Sequence, residues 1–114
     1  MSQQTIQRKE LLKAVLGRQS ISTVDVREIC LGPGQSAGRH LHPCAVVGYI
    51  VEGTAVYQIE GEATQMLPAG SAFYEPAETV IARFGNASNT DPMTFIAFYL
   101  LDGEQELITM LESK

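Results

Sequence analysis

The chain contains two histidines, and they stand two positions apart, at His40 and His42. A β-strand sends alternate side chains to one face, so a strand here would put both imidazoles on the same side, with Cα atoms about 6.6 Å apart. At that separation two rings can converge on one metal ion, each nitrogen ~2.0–2.1 Å from it. Neutral imidazole is the commonest biological metal ligand. A His-x-His pair also describes two ordinary surface or core histidines, so the neighbours must sharpen the reading. Cys44 follows His42 at the same spacing, but Pro43 breaks the alternation, and a small buried thiol is favoured there over a thiolate ligand. Glu75 precedes Pro76 in an expected turn and reads as solvent-exposed. Glu52 shares the parity of Val46 but lies about 20 Å further along the strand, out of reach. Without a metal, either histidine can still act as a general base. No Ser-His-Asp arrangement is legible.

The elements that must position these residues are short. Ten glycines and five prolines fall mostly between brief apolar runs, the signature of many strands joined by turns. Strands are expected over 24–31, 37–42, 45–51, 54–59, 62–67, 71–74, 79–84 and 93–101. Pro43 ends the strand that carries the histidines. The runs 54–59 and 62–67 should form a hairpin about Glu60-Gly61. Residues 6–16 are ambiguous: Leu11, Leu12, Val15 and Leu16 would share a helical face, yet a strand fits as well. Residues 104–111 read as one or two helical turns with Asp102 as N-cap. Eight or so short strands with turns at near-regular spacing argue for an all-β sandwich or barrel with little helix.

The stretch RHLHPCAVVGYIVEG resembles the first motif of the cupin superfamily: Gly34, then His40-Leu41-His42, then Val46 at the position of a Glu, then Gly53. The stretch AGSAFYEPAETVIARFGNAS resembles the second motif, with Gly70, Pro76-Ala77 and Gly85-Asn86 in place. There Glu78 stands where glycine is usual and Ile81 where the motif has its histidine. The resemblance covers roughly residues 8–101. It implies a small double-stranded β-helix, or jelly-roll barrel, forming a single domain over 1–114 with its core at about 8–101 and a tail over 102–114. It also implies that the two histidines, the Glu and the second-motif His would together hold a metal. With Val46 and Ile81 at two of those positions, the ligand count is two, His40 and His42. A divalent ion such as Zn, Fe, Ni or Mn is then expected to be weakly held, since catalytic sites typically use three protein ligands.

Strand parity extends the site. Val46, Gly48 and Ile50 should line a cavity with His40, His42 and Ile81, and Arg83, two residues from Ile81, should face the same side. An arginine there can bind a substrate carboxylate or form an ion pair at the rim. Two functional readings follow: a barrel that binds a small organic molecule, and a cupin-type metalloenzyme (dioxygenase, isomerase or decarboxylase) with its metal on His40 and His42.

The bulk properties narrow the partners. The 114 residues carry a net charge of −5 and 45% apolar side chains, so one packed domain is expected. No basic cluster exceeds Arg8-Lys9, which argues against nucleic acid and anionic membrane surfaces as partners. No apolar run approaches the ~20 residues of a membrane span, and the polar residues 1–13 lack a signal-peptide pattern. Two cysteines, Cys30 and Cys44, make no disulfide framework. Cytoplasmic location with reduced thiols is expected. Tyr49 and Val51 should face outward, and the last strand is apolar on both faces, which points to a homodimer.

Overall fold

A computed structural model describes residues 5–112; the outer limits of the expected domain, at 1 and 114, lie outside the described residues. In chain order the strands are β1 (Thr23–Leu31), β2 (His40–Leu41), β3 (Ala45–Glu52), β4 (Thr54–Ile59), β5 (Gln65–Pro68), β6 (Ala72–Glu75), β7 (Ile81–Asn86), β8 (Met93–Leu101) and β9 (Thr109–Met110). They form two antiparallel sheets, ordered β1-β8-β3-β6 and β5-β4-β7-β2-β9. No helix occurs among the described residues.

The inner faces follow from period-2 alternation. Met93, Phe95, Ala97, Tyr99 and Leu101 of β8 are all buried, as are Val46, Gly48 and Ile50 of β3. These meet Tyr57, Ile81 and Phe84 from the other sheet to form one core. Phe73, Phe84 and Phe95 pack ring to ring, with centroids 4.9–6.0 Å apart. Each fully buried side chain of this size stabilises the fold by roughly 1.5–3 kcal/mol. Gly48 serves this packing by what it lacks: a Cβ there would lie 2.0 Å from the Phe73 ring.

Four local expectations are corrected. The histidine strand, expected over 37–42, contracts to β2 because Gly38 turns the chain at φ 82° and Pro43 follows. The hairpin forms, since β4 pairs with β5, but the second strand starts only at Gln65 after the turn that Glu62 N closes onto Ile59 O at 2.9 Å. Residues 104–111 are not helical: Leu107 packs against the core and β9 pairs with β2, so tertiary contact overrides local propensity. Residues 5–22 form neither regular element.

Candidate metal centre

The second sheet fixes the histidines. His40 is held on both sides of its backbone, opposite Ile81 of β7 and Met110 of β9. His40 Nδ1 lies 2.8 Å from the Gly38 carbonyl and His42 Nδ1 lies 2.7 Å from the Leu107 carbonyl. A carbonyl only accepts, so each Nδ1 carries a hydrogen and donates it, and in the neutral ring Nε2 keeps the lone pair. Both Nε2 atoms turn to a third residue that comes from the first sheet. Glu75 ends β6 directly opposite Val46 of β3. Its Oε2 is 2.9 Å from His42 Nε2 and its Oε1 is 3.4 Å from His40 Nε2. The two rings are nearly perpendicular, 76° between planes, with centroids 4.9 Å apart.

Glu75 is therefore not the exposed turn residue expected: it is 4% exposed. Pro76 does end the strand, but only after Glu75 has taken its place in the β3–β6 ladder. The sequence does carry a signal for this. Phe73 and Glu75 have the same parity, and Phe73 is a core residue. The candidate ligands become three, because the carboxylate arrives from the strand next to the position where the cupin motif would supply it.

Burial pushes the Glu75 carboxyl up, but hydrogen bonding and charge from the His40 and His42 imidazoles, once these carry a proton at Nε2, outweigh burial and hold it below its ordinary value. Burial likewise pushes the His42 imidazole down, and the Glu75 carboxylate, with help from the Leu107 carbonyl, holds it above its ordinary value. Tyr99, whose ring centroid lies 5.8 Å from that of His42, is pushed up by burial and then by the Glu75 charge. Burial also raises the Cys44 thiol, which stays a small buried thiol.

These donors fit a divalent ion. Glu75 Oε1 is buried and accepts no hydrogen bond, an arrangement a native core rarely tolerates without a cation or water. The three ligand atoms lie within 4.8 Å of one another. Two donors each ~2.1 Å from one ion and at right angles are about 3.0 Å apart, close to the observed 2.9 and 3.4 Å. Two histidines and one carboxylate with open positions is the donor set of non-haem iron sites and suits zinc or manganese too. The Nδ1–carbonyl bonds are the outer contacts that usually orient metal-binding histidines.

Beside this cluster lies a cavity of about 190 Å³. His40, His42, Val46 and Glu75 line it together with Ile29, Leu31, Ala37, Phe73, Phe84, Phe95, Ala97, Tyr99 and Ile108. The other residues assigned to the pocket from sequence are placed elsewhere. Ile50 and Ile81 are wholly buried in the core, off the cavity wall, and the space at Gly48 is filled by the Phe73 ring. Arg83 is exposed on the outside of β7. The cause is a bulge: Gln58 pairs with Arg83 and Ile59 with Ile81, leaving Ala82 without a partner and reversing the parity between 81 and 83.

The cupin domain family profile matches residues 27–99, a span from β1 to β8 that includes all three candidate ligands. The chain belongs to the cupin family. Solved structures with the same fold include a cupin-like protein from Thermotoga maritima, 21% identical with a TM-score of 0.69 over 79% of this chain and 65% of that one. A DMSP lyase from Ruegeria pomeroyi is 17% identical, with a TM-score of 0.66 over 76% of this chain and 42% of that one. An oxalate decarboxylase from Bacillus subtilis is 20% identical, with a TM-score of 0.66 over 78% of this chain and 24% of that one. The chain thus spans less than two thirds of each of these proteins. Comparison with curated proteins gives no match.

Proposed function

We propose that this cupin is a metal-dependent enzyme acting on a small organic molecule, with a divalent ion held by His40, His42 and Glu75. The observation that carries the reading is the buried Glu75 Oε1, without a hydrogen bond and facing a histidine lone pair. Two acceptor nitrogens and a carboxylate converge with no hydrogen to share among them unless one is protonated, and a cation between them resolves the conflict. A bound divalent ion would supply Lewis-acid activation of a substrate oxygen. The residues of the chain orient it: the Gly38 and Leu107 carbonyls fix the imidazoles, and the aromatic wall excludes water beside them. That the same fold serves a lyase and a decarboxylase among the similar structures supports an enzymatic role. The free thiols of Cys30 and Cys44 suit a reducing compartment such as the cytoplasm.

A second reading, a barrel that binds its ligand without catalysis, is favoured by Ile81, an apolar residue where the motif has a histidine. There a proton, shared by His42 and Glu75, would replace the ion. Titration calorimetry of chelator-treated protein separates the two. Zinc, manganese, iron(II) or nickel should bind at one ion per chain, and Glu75→Gln should weaken binding at least 10-fold. Failure of all four ions to bind at micromolar concentration would leave the ligand-binding reading standing.

A further inference from the structure

The wall of the cavity has a chemistry of its own. Among the described residues lining it, Tyr99 is the one polar side chain beyond the three candidate ligands, and none is a lysine or an arginine. Arg83, which strand parity would have placed inside, is outside. The other arginines near the barrel are engaged elsewhere, Arg39 with Glu60 at 2.8 Å and Arg27 with Asp25 at 2.9 Å.

Charge balance follows, given the metal reading above. A divalent ion held by two neutral imidazoles and one carboxylate keeps one net positive charge. In a low-dielectric cavity that charge favours one negative charge on the ligand; a second would be buried with no partner, at heavy cost. Size and lining set the rest. An apolar cavity of about 150 Å³ accommodates a benzene ring, so about 190 Å³ leaves room for one six-membered ring and its acid group. Phe73, Phe84 and Phe95 form a contiguous aromatic wall whose edges and faces can meet a second ring. Ile29, Ala37 and Ile108, each partly exposed, mark where the cavity reaches the surface.

We propose that the site takes a compact monoanion with an apolar body, of the benzoate or cyclohexanecarboxylate size. Its acid group lies toward His40, His42 and Glu75 and its body against the phenylalanines. This inference rests on the metal reading, and the test separates the two. The full chain is loaded with manganese, its stoichiometry measured, and then titrated with five probes. Benzoate and cyclohexanecarboxylate combine one charge with an apolar body; acetate lacks the body, succinate adds a second charge, and benzyl alcohol lacks the charge. The first two should bind at least 10-fold more tightly than each of the other three, and their affinity should fall at least 10-fold when the metal is removed. One manganese per chain without this preference overturns the inference and leaves the metal site intact. Succinate as tight as benzoate removes the charge argument, and acetate as tight removes the apolar body. Failure to load metal overturns both readings.

Discussion

Val46 and Glu75 face each other across two strands, and directly opposed residues in an antiparallel pair have Cβ atoms about 4.5–5.5 Å apart. A carboxylate displaced by one strand therefore still reaches the histidines, whereas one displaced by six residues along its own strand, as at Glu52, does not. A buried carboxylate is costly unless paired, and here the pairing depends on protonation. His42 is held above its ordinary value of 6.5, so its contribution to the metal-free fold is full below 6.5 and is lost as pH rises through the raised value. Glu75 is held below its ordinary value of 4.5, so its contribution is present above 4.5 and is lost as pH falls through the lowered value. Metal binding has the opposite slope, because imidazole must shed its proton to ligate. Between pH 6 and pH 8 the thermal midpoint of chelator-treated protein should fall, while the upward shift produced by added manganese should grow. Scanning fluorimetry at both pH values checks this, and Glu75→Gln should abolish both trends. A metal-induced shift that shrinks with pH would count against ligation by His42.

The segment after β8 controls one histidine through its backbone. Leu107 supplies the carbonyl that receives His42 Nδ1, Leu111 N donates to the Arg39 carbonyl at 2.9 Å, and the Arg39 guanidinium donates to Glu112 O at 3.0 Å. Outer contacts of this kind are worth about 10–100-fold in metal affinity. Deleting residues 104–114 should therefore weaken metal binding by that factor in calorimetry while the β-sheet circular dichroism signal persists; unchanged affinity would show that His42 needs no support from the tail. Nothing in the local pattern of 104–111 announces this role, because the segment is ordered by the barrel it lands on. The elements legible in the sequence are those whose own residues decide them. The strand expected over 93–101 coincides with β8, an unbroken run with core residues at alternate positions, and β1 and β3 are apolar enough to be read with limits off by a residue. The His40–His42 pairing was legible for the same reason, a fixed period of two. Periodicity puts Arg83 on the wrong face because it does not reveal the residue that a bulge adds, and Glu75 reads as a turn residue because a charged side chain before a proline does so unless its strand partner is known.

The first sheet carries apolar residues on its outer face as well as on its core face along β1, β8 and β3. Along β1 Asp25 and Arg27, opposite Tyr99 and Ala97, are on the barrel side and joined as an ion pair, while Val24 and Val26 point outward at 52% and 54% exposure. Val26 lies opposite Phe98 of β8, which in turn lies opposite Val47 of β3, so three apolar side chains form one row across the outer face. Tyr49 and Val51 extend that face along β3, and both are exposed. Contiguous exposed apolar patches of more than a few hundred Å² mark interaction surfaces on soluble proteins. A net charge of −5 offers nothing to draw a nucleic acid or an anionic membrane to it. Leu11, Leu12 and Leu16 of the same chain lie beside Val47, Tyr49 and Phe98 on this face, and a second copy of the chain brings the same apolar surface, as an isologous interface requires. The expected assembly is a homodimer packed through the outer faces of β1, β8 and β3. Sedimentation velocity at micromolar concentration should show a dimer, and Val26→Lys combined with Phe98→Glu should shift it to monomer while one metal ion per chain is retained. A native chain that sediments as a monomer throughout that range would mean that this face meets solvent or some other partner. Retention of metal by the monomeric variant would show that each barrel carries a complete site, as expected when His40, His42 and Glu75 all belong to one chain.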